Sequence, residues 1–309
     1  MCSEARVFSR AESSGVGLQQ RVDELEARTR LRAFVHAEEL GSSNEVGTRA
    51  DDAVVSASVF KVPVLVEACR RMAAGDIDPA RRVVLDPDQF AVTGPTGITV
   101  FADPVSLSFR DLCLSMISVS DNRATDVVMD ILGLDEINAG LRELGLTRTV
   151  LVGDCAALFA SMAEDLGLPA DVGLDPLARG DEALLATRAL DPDRTNRTTA
   201  RETSSLFARL WDEDGIDPAA CAEARRILGL QVWPHRLRSG FPDDTVAVSG
   251  KTGTLPFVRN EAGVVEFADG ARYAVSVFLR LPTPASVVPH FDRAIGELAA
   301  AAVSELRGG

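Results

Sequence analysis

A serine and two lysines are the residues of this chain best suited to nucleophilic chemistry. Of the 32 basic residues, only Lys61 and Lys251 are lysines; the other 30 are arginines. Ser58 precedes Lys61 by three positions in "SVFK", so a helix beginning there would place both side chains on one face. A lysine can lose its proton when it is desolvated, whereas an arginine effectively cannot. Lys61 could therefore be the base for a Ser58 nucleophile; the alternative is two ordinary residues on a helix's first turn.

The tripeptide "SDN", Ser120-Asp121-Asn122, is a second candidate, at a junction between helical segments. Functionally, Ser120 could shuttle a proton, and the amide of Asn122 could hold a substrate or orient Lys61. Alternatively, Ser120 or Asp121 caps the helix that follows. The two interpretations are compatible.

The third candidate, "KTGT", ends an apolar strand and contains Lys251, Thr252, Gly253 and Thr254. Gly253 would let a ligand approach the strand backbone, while the ammonium and the threonine hydroxyls could bind a carboxylate. The alternative is an exposed transition from strand to loop. Because the chain's two lysines are the lysines of two of these three motifs, the weak signals reinforce one another.

The elements that must position these motifs follow from hydrophobic periodicity. A helix is expected from about Ser58 to Ala74, followed by mostly helical sequence to about residue 230 and an irregular segment at about 150–198. The closing sequence "PHFDRAIGELAAAAVSEL" predicts a last helix. Strands are expected at 31–40, in "NEVGTRA", and at 245–254, 261–267 and 272–281. The two chain ends could therefore form one five-stranded antiparallel sheet.

Composition excludes several classes of function. A formal net charge of −14 disfavours nucleic-acid and anionic-membrane partners. No segment has the apolar length of a membrane span, and the first thirty residues lack the apolar core of a secretory signal. A cytoplasmic protein is expected, or a periplasmic or secreted one if a leader has been removed. Five cysteines without paired spacing and three distant histidines predict no metal site.

Taken together, Ser58-x-x-Lys61, Ser120-Asp121-Asn122 and Lys251-Thr252-Gly253 resemble the signature of class A β-lactamases and related penicillin-recognising serine enzymes. The resemblance covers nearly the whole chain. It implies an α/β (α+β) fold with a sheet domain at 1–57 and 236–309 and an all-helical domain at 58–235. It also implies no cofactor, no metal, and a carboxylate-bearing small-molecule or peptide substrate, and we expect a monomer.

The same resemblance implies a role for each motif residue. Ser58 would be the acylated nucleophile and Lys61 its general base. Ser120 would relay a proton to the leaving nitrogen, and Asn122 would contact substrate. Lys251 and Thr252 would bind the substrate carboxylate beside Gly253, and the N–H groups of Ser58 and Thr254 would form the oxyanion hole.

The resemblance is incomplete where the acyl group must be removed. Class A enzymes activate water with a glutamate in a Glu-x-x-Leu-Asn pattern, which this chain lacks. The nearest candidate is Glu182 in "EALLA", where Ala186 replaces the asparagine; Glu164 is a weaker one. The sequence therefore predicts a serine hydrolase that opens a β-lactam amide through an acyl-enzyme at Ser58. The alternatives are a DD-peptidase- or esterase-like hydrolase with slow deacylation, and a non-catalytic ligand-binding member of the family.

Overall fold

A computed structural model describes residues 17–87, 94–168, 181–284 and 287–308. The described residues form nine strands and ten α-helices. The strands are β1 (Arg32–Glu39), β2 (Glu45–Thr48), β3 (Val54–Val55), β4 (Arg82–Leu85), β5 (Val105–Ser108), β6 (Arg197–Thr198), β7 (Ala247–Leu255), β8 (Val258–Glu266) and β9 (Arg272–Arg280). The helices are α1 (Leu18–Thr29), α2 (Lys61–Ala74), α3 (Phe109–Ser118), α4 (Asn122–Leu132), α5 (Leu134–Glu143), α6 (Cys155–Asp165), α7 (Asp181–Leu185), α8 (Ala200–Asp212), α9 (Pro218–Leu228) and α10 (Pro289–Leu306). None of these helices is long and apolar enough to cross a membrane.

The main sheet joins the two ends of the chain. Its strand order is β2-β1-β9-β8-β7, and every neighbouring pair is antiparallel. β1 pairs with β9 over its whole length, from Arg32 opposite Arg280 to Glu39 opposite Tyr273. The prediction of a five-stranded antiparallel sheet assembled from both chain ends is confirmed.

The two faces of this sheet bury separate apolar clusters, because successive strand residues point to opposite faces. Val35 of β1 belongs to a cluster with Leu25 of α1 and Ile295 of α10. Phe278 of β9 belongs to a different cluster, with Leu65 of α2 and Phe207 of α8. The sheet therefore lies between the terminal helices and helices from the middle of the chain. The division into domains at 57/58 and 235/236 stays a prediction.

The helix expected from Ser58 to Ala74 begins slightly later. A 3-10 turn, Ala57–Phe60, leads directly into α2, and Gly75 ends the helix with φ 81°. Every residue of α2 from Lys61 to Cys69 is buried. A helix that is buried on all sides occupies the centre of its layer. The motif lysine is therefore enclosed by the fold.

The expectation of an irregular segment over 150–198 is wrong for much of its described part. This segment contains α6 and α7, and β6 pairs with β3. The first turn of α6 is capped by two carboxylates: Asp154 accepts from Ala157 N at 2.8 Å, and Asp126 of α4 accepts from Cys155 N at 2.7 Å. Asp154 is a local N-cap signal, but the Asp, Gly and Pro content of the segment favoured an irregular prediction; the second cap, supplied from another helix, has no local signal. Residues 169–180 lie outside the described residues.

Candidate active site

Ser58 lies on the 3-10 turn that leads into α2, and it is half-buried. The preceding residue, Ala57, has φ 45°, a left-handed conformation that is costly for a residue with a Cβ. The amide of Asn260 on β8 holds this segment by donating to Val55 O at 2.9 Å and Ser56 O at 3.1 Å. The sheet therefore fixes the strained turn that presents Ser58.

Strand β7 lies directly against this turn at Gly253. A Cβ placed on Gly253 would come within 2.9 Å of Ser56 O and 3.2 Å of Ser58 N. Real Cβ atoms rarely approach backbone this closely, so glycine is required here for contact between the strand and the turn. The Ser58 motif and the Lys-Thr-Gly motif are thus adjacent in space.

Lys61 is completely buried and joins the first motif to the second. Its Nζ donates to Ser120 O at 2.8 Å, to Asn122 Oδ1 at 2.9 Å and to Ser120 Oγ at 3.3 Å. Burial lowers the pKa of Lys61 below its usual value, although the negative charges of Asp121 and Asp126 oppose the shift. Lys61 is therefore held where it can contact Ser120 and lose its proton more readily than an exposed lysine.

Asp121, the middle residue of the second motif, has a structural position. It is fully buried and caps α4 by accepting from Ala124 N at 3.2 Å. It also accepts from Ile98 N at 2.6 Å and from Ser115 Oγ at 2.7 Å. Asp121 thus anchors α3, α4 and the 94–99 segment. The capping interpretation is confirmed for Asp121. The functional roles of Ser120 and Asn122, which contact Lys61 from either side, stay a prediction.

The third motif adds buried positive charge. Lys251 is completely buried, and its Nζ donates to Thr252 O at 2.9 Å. Arg236, also buried, donates to Thr254 Oγ1 at 2.7 Å and to Gly253 O at 3.0 Å. Burial lowers the pKa of Lys251 well below its usual value, and the positive charges of Lys61 and Arg236 lower it further. Asp292 accepts from Arg236 Nε at 2.7 Å and the buried Glu261 opposes the pKa shift of Lys251, so carboxylates of the protein already balance part of this charge.

These residues surround one cleft of about 560 Å³. Ser58, Ser120, Asn122, Thr252 and Thr254 line it, and Lys61, Lys251 and Gly253 lie directly behind that lining. Leu158, Phe159 and Leu255 add an apolar wall, while His235 and Arg236 lie on the polar side. A carboxylate-bearing ligand with an apolar group fits this distribution of polarity.

The glutamates proposed for water activation do not line this cleft. Glu182 is exposed on α7, and Glu164 is an exposed residue of α6 that pairs with Arg188. Among the described residues that line the cleft there is no carboxylate. Its α6 wall instead presents Cys155, whose Sγ lies 3.5 Å from Asn122 Oδ1. Burial raises the pKa of this thiol to about 12, so it is neutral at physiological pH.

Sequence reasoning missed four residues that shape the site: Cys155, Arg236, Asn260 and Asp126. Cys155 was counted only among unpaired cysteines, and Arg236 was one arginine among thirty. Asn260 lies between Arg259 and Glu261, just before the strand predicted at 261–267, so its charged neighbours do not indicate that its amide is buried.

Comparisons with known proteins agree with this geometry. The model of the beta-lactamase enzyme family matches residues 17–306. The beta-lactamase regulatory protein BlaB of Streptomyces cacaoi is 28% identical over 279 residues, covering 84% of this chain and 88% of the relative. A beta-lactamase of Mycobacterium tuberculosis is 25% identical over 289 residues, covering 89% and 81%.

The fold is shared with solved structures. The crystal structure of a beta-lactamase from Sphaerobacter thermophilus superimposes with a TM-score of 0.74 at 22% identity, covering 94% of this chain and 97% of that one. Two findings support the same family assignment: the sheet is assembled from both chain ends, and the family model matches residues 17–306. The chain belongs to the beta-lactamase enzyme family and has the class A β-lactamase fold.

Proposed function

We propose that the protein is a serine hydrolase that opens a β-lactam amide through an acyl-enzyme at Ser58. The observation that carries this proposal is the environment of Lys61. It is a buried lysine with a lowered pKa, bonded to Ser120 and Asn122 and one turn from Ser58. A neutral amine in that position can accept the serine proton.

The reaction would proceed in two proton transfers. Lys61 Nζ takes the proton of Ser58 Oγ as that oxygen attacks the amide carbon. The negative charge that develops on the carbonyl oxygen is stabilised by the N–H groups of Ser58 and Thr254, at the point where β7 meets the Ser58 turn. Collapse breaks the C–N bond, and Ser120 Oγ, 3.3 Å from Lys61 Nζ, passes the proton to the leaving nitrogen. An ester of Ser58 remains.

Substrate orientation would come from the polar side of the cleft. Thr252 and Thr254 present hydroxyl groups, with the charges of Lys251 and Arg236 behind them. A substrate carboxylate there directs the acyl half toward Ser58 and the wall formed by Leu158 and Phe159. We therefore infer a substrate with a carboxylate on its leaving half.

A second candidate is a member of the family that is acylated but turns over slowly, as in a DD-peptidase- or esterase-like hydrolase. The observation in its favour is Cys155, a neutral thiol on the wall of the cleft beside Asn122. A thiol with a pKa of about 12 cannot take a proton from water at neutral pH. One relative is described as a regulatory protein rather than as an enzyme.

Two measurements separate these candidates. Intact-protein mass spectrometry after incubation with benzylpenicillin should show one added penicilloyl group, absent from Ser58→Ala. If neither an adduct nor hydrolysis is detected, both candidates are excluded. The remaining alternative is then a non-catalytic, ligand-binding member of the family. Steady-state hydrolysis of a chromogenic cephalosporin then distinguishes rapid turnover, expected of a β-lactamase, from a single burst followed by a persistent adduct.

A further inference from the structure

We propose a second ligand site, away from the cleft, that binds a small amphiphilic carboxylate. It consists of a basic hollow at one end of the β1–β9 pair and an apolar cavity beside it. The basic hollow has a volume of about 630 Å³ and is lined by Arg32, Phe34, Asp52, Ala53, Arg148 and Arg280. None of these six residues lines the cleft that contains Ser58.

The charges of the basic hollow are poorly compensated. Arg32 and Arg280 are direct partners across β1 and β9. Like charges in that position destabilise a sheet. Asp52 is the one carboxylate in the lining, and it reaches Arg32 only at 3.8 Å. Arg148 and Arg280 are exposed, and their guanidinium groups have no ion pair or hydrogen bond in the described part of the chain. In a protein of formal net charge −14, this cluster of positive charge fits an anion.

The neighbouring apolar cavity supplies the other half of the site. It has a volume of about 50 Å³, which is larger than the roughly 10–15 Å³ that a single water needs. Leu185, Leu190, Phe257 and Phe278 are among its lining residues. It shares Phe34, Ala53 and Arg280 with the basic hollow, so the two lie side by side. The Arg32 guanidinium lies 5.5 Å from the centre of the Phe34 ring, at the junction of the two parts.

The combination selects the class of ligand. A carboxylate suits the guanidinium groups because it can accept two parallel hydrogen bonds from one arginine. An attached alkyl chain could enter the apolar cavity, where its burial adds to affinity. A small ion such as acetate would leave the cavity unused, and a neutral alcohol would leave the arginines without a countercharge. A short fatty acid such as octanoate satisfies both parts.

Calorimetric titration of the full chain with octanoate tests this site. We expect one octanoate per chain, with acetate and octanol each binding at least about tenfold more weakly because each lacks one half of the interaction. The double variant Arg148→Gln/Arg280→Gln should weaken octanoate binding by about tenfold or more. Leu185→Asn, which changes an exposed residue of the apolar cavity, should weaken octanoate while leaving acetate unaffected.

The matched control is Arg110→Gln/Arg293→Gln. It removes the same charge from two exposed arginines that lie outside the hollow and the cavity. Thermal melting should show that each variant stays folded; the melting temperature of the Arg148→Gln/Arg280→Gln variant should be equal to or slightly above that of the wild type, because Arg280→Gln removes the like-charge pair with Arg32. The proposal is overturned if octanoate does not bind, if both double variants weaken binding equally, or if neither does. Titration of Ser58→Ala should reproduce wild-type binding, and loss of binding there would place octanoate in the cleft instead.

Discussion

The thiol of Cys155 lies 3.5 Å from Asn122 Oδ1, the same oxygen that accepts a hydrogen bond from Lys61 Nζ at 2.9 Å. The side chain at position 155 therefore faces the catalytic candidates from the α6 wall. A longer side chain placed there would face the cleft beside Asn122 and Lys61. Hydrolysis of an ester on Ser58 requires a base that takes a proton from water. Its rate should therefore depend on whether the side chain at position 155 can act as that base.

A carboxylate at this position should accelerate removal of the acyl group. We expect Cys155→Glu to increase the hydrolysis rate of the penicilloyl adduct at least about tenfold, since a positioned general base typically contributes 10²–10⁴-fold. The rate is measured by mass spectrometry after excess penicillin has been removed. Cys155→Gln is the matched control, because it has the same shape without the basic group. Equal rates for the two variants would contradict the prediction.

Replacing Lys61 should stop acylation without removing its positive charge. Arginine cannot lose its proton at accessible pH, so Lys61→Arg should lower the acylation rate constant by about 10²-fold or more. In the wild type, that rate should fall as pH decreases, because burial lowers the pKa of Lys61 and only the neutral amine can accept the serine proton. Stopped-flow acylation by a chromogenic cephalosporin between pH 5 and 9 measures both effects. Near-wild-type acylation by the arginine variant would exclude Lys61 as the base.

Features of the fold and the site that depend on a local sequence pattern could be predicted from the sequence. Alternating apolar residues predicted β1, and a run rich in strand-forming residues predicted β9. The first two motifs placed Lys61 and Asn122 on elements that do meet. The α6 wall could not be predicted in this way. Asp154 caps its first turn locally, but the second cap, Asp126, comes from α4, and this tertiary contact holds the backbone of Cys155 at the cleft. The proposal of Glu182 relied on a short pattern match without the geometry that would bring it to the cleft.

Asp126 should give the protein a measurable pH dependence of stability. It accepts from Cys155 N at 2.7 Å and Ala156 N at 3.0 Å, yet burial and the charge of Asp154 raise its pKa to about 6. The folded state therefore binds a proton more tightly than the unfolded state, whose carboxyl has a pKa of 3.8. Above pH 6 the ionised carboxylate lowers the free energy of unfolding by about 3 kcal/mol. This destabilisation is lost as pH falls toward 4, so the protein should become more stable in that range.

Asp126→Asn isolates this contribution, because an asparagine cannot ionise and retains one acceptor oxygen. Its unfolding free energy should change less between pH 7 and pH 4.5 than that of the wild type, by about 2 kcal/mol, because pH 4.5 is still above the unfolded pKa. Urea denaturation at several pH values provides the comparison. Parallel pH profiles for the two proteins would show that Asp126 does not titrate in this range.

Replacing Gly253 by alanine should lower the acylation rate more than it lowers the stability of the fold. An alanine there would place its methyl group 2.9 Å from Ser56 O and 3.2 Å from Ser58 N, forcing β7 away from the Ser58 turn. Displacements of about 1 Å in a catalytic site can cost about 10²-fold in rate, so we expect Gly253→Ala to slow acylation at least about tenfold. Gly229→Ala is the control, because its Cβ would meet no atom closer than 3.4 Å. If Gly253→Ala is acylated at the wild-type rate, the close contact between strand and turn does not position Ser58.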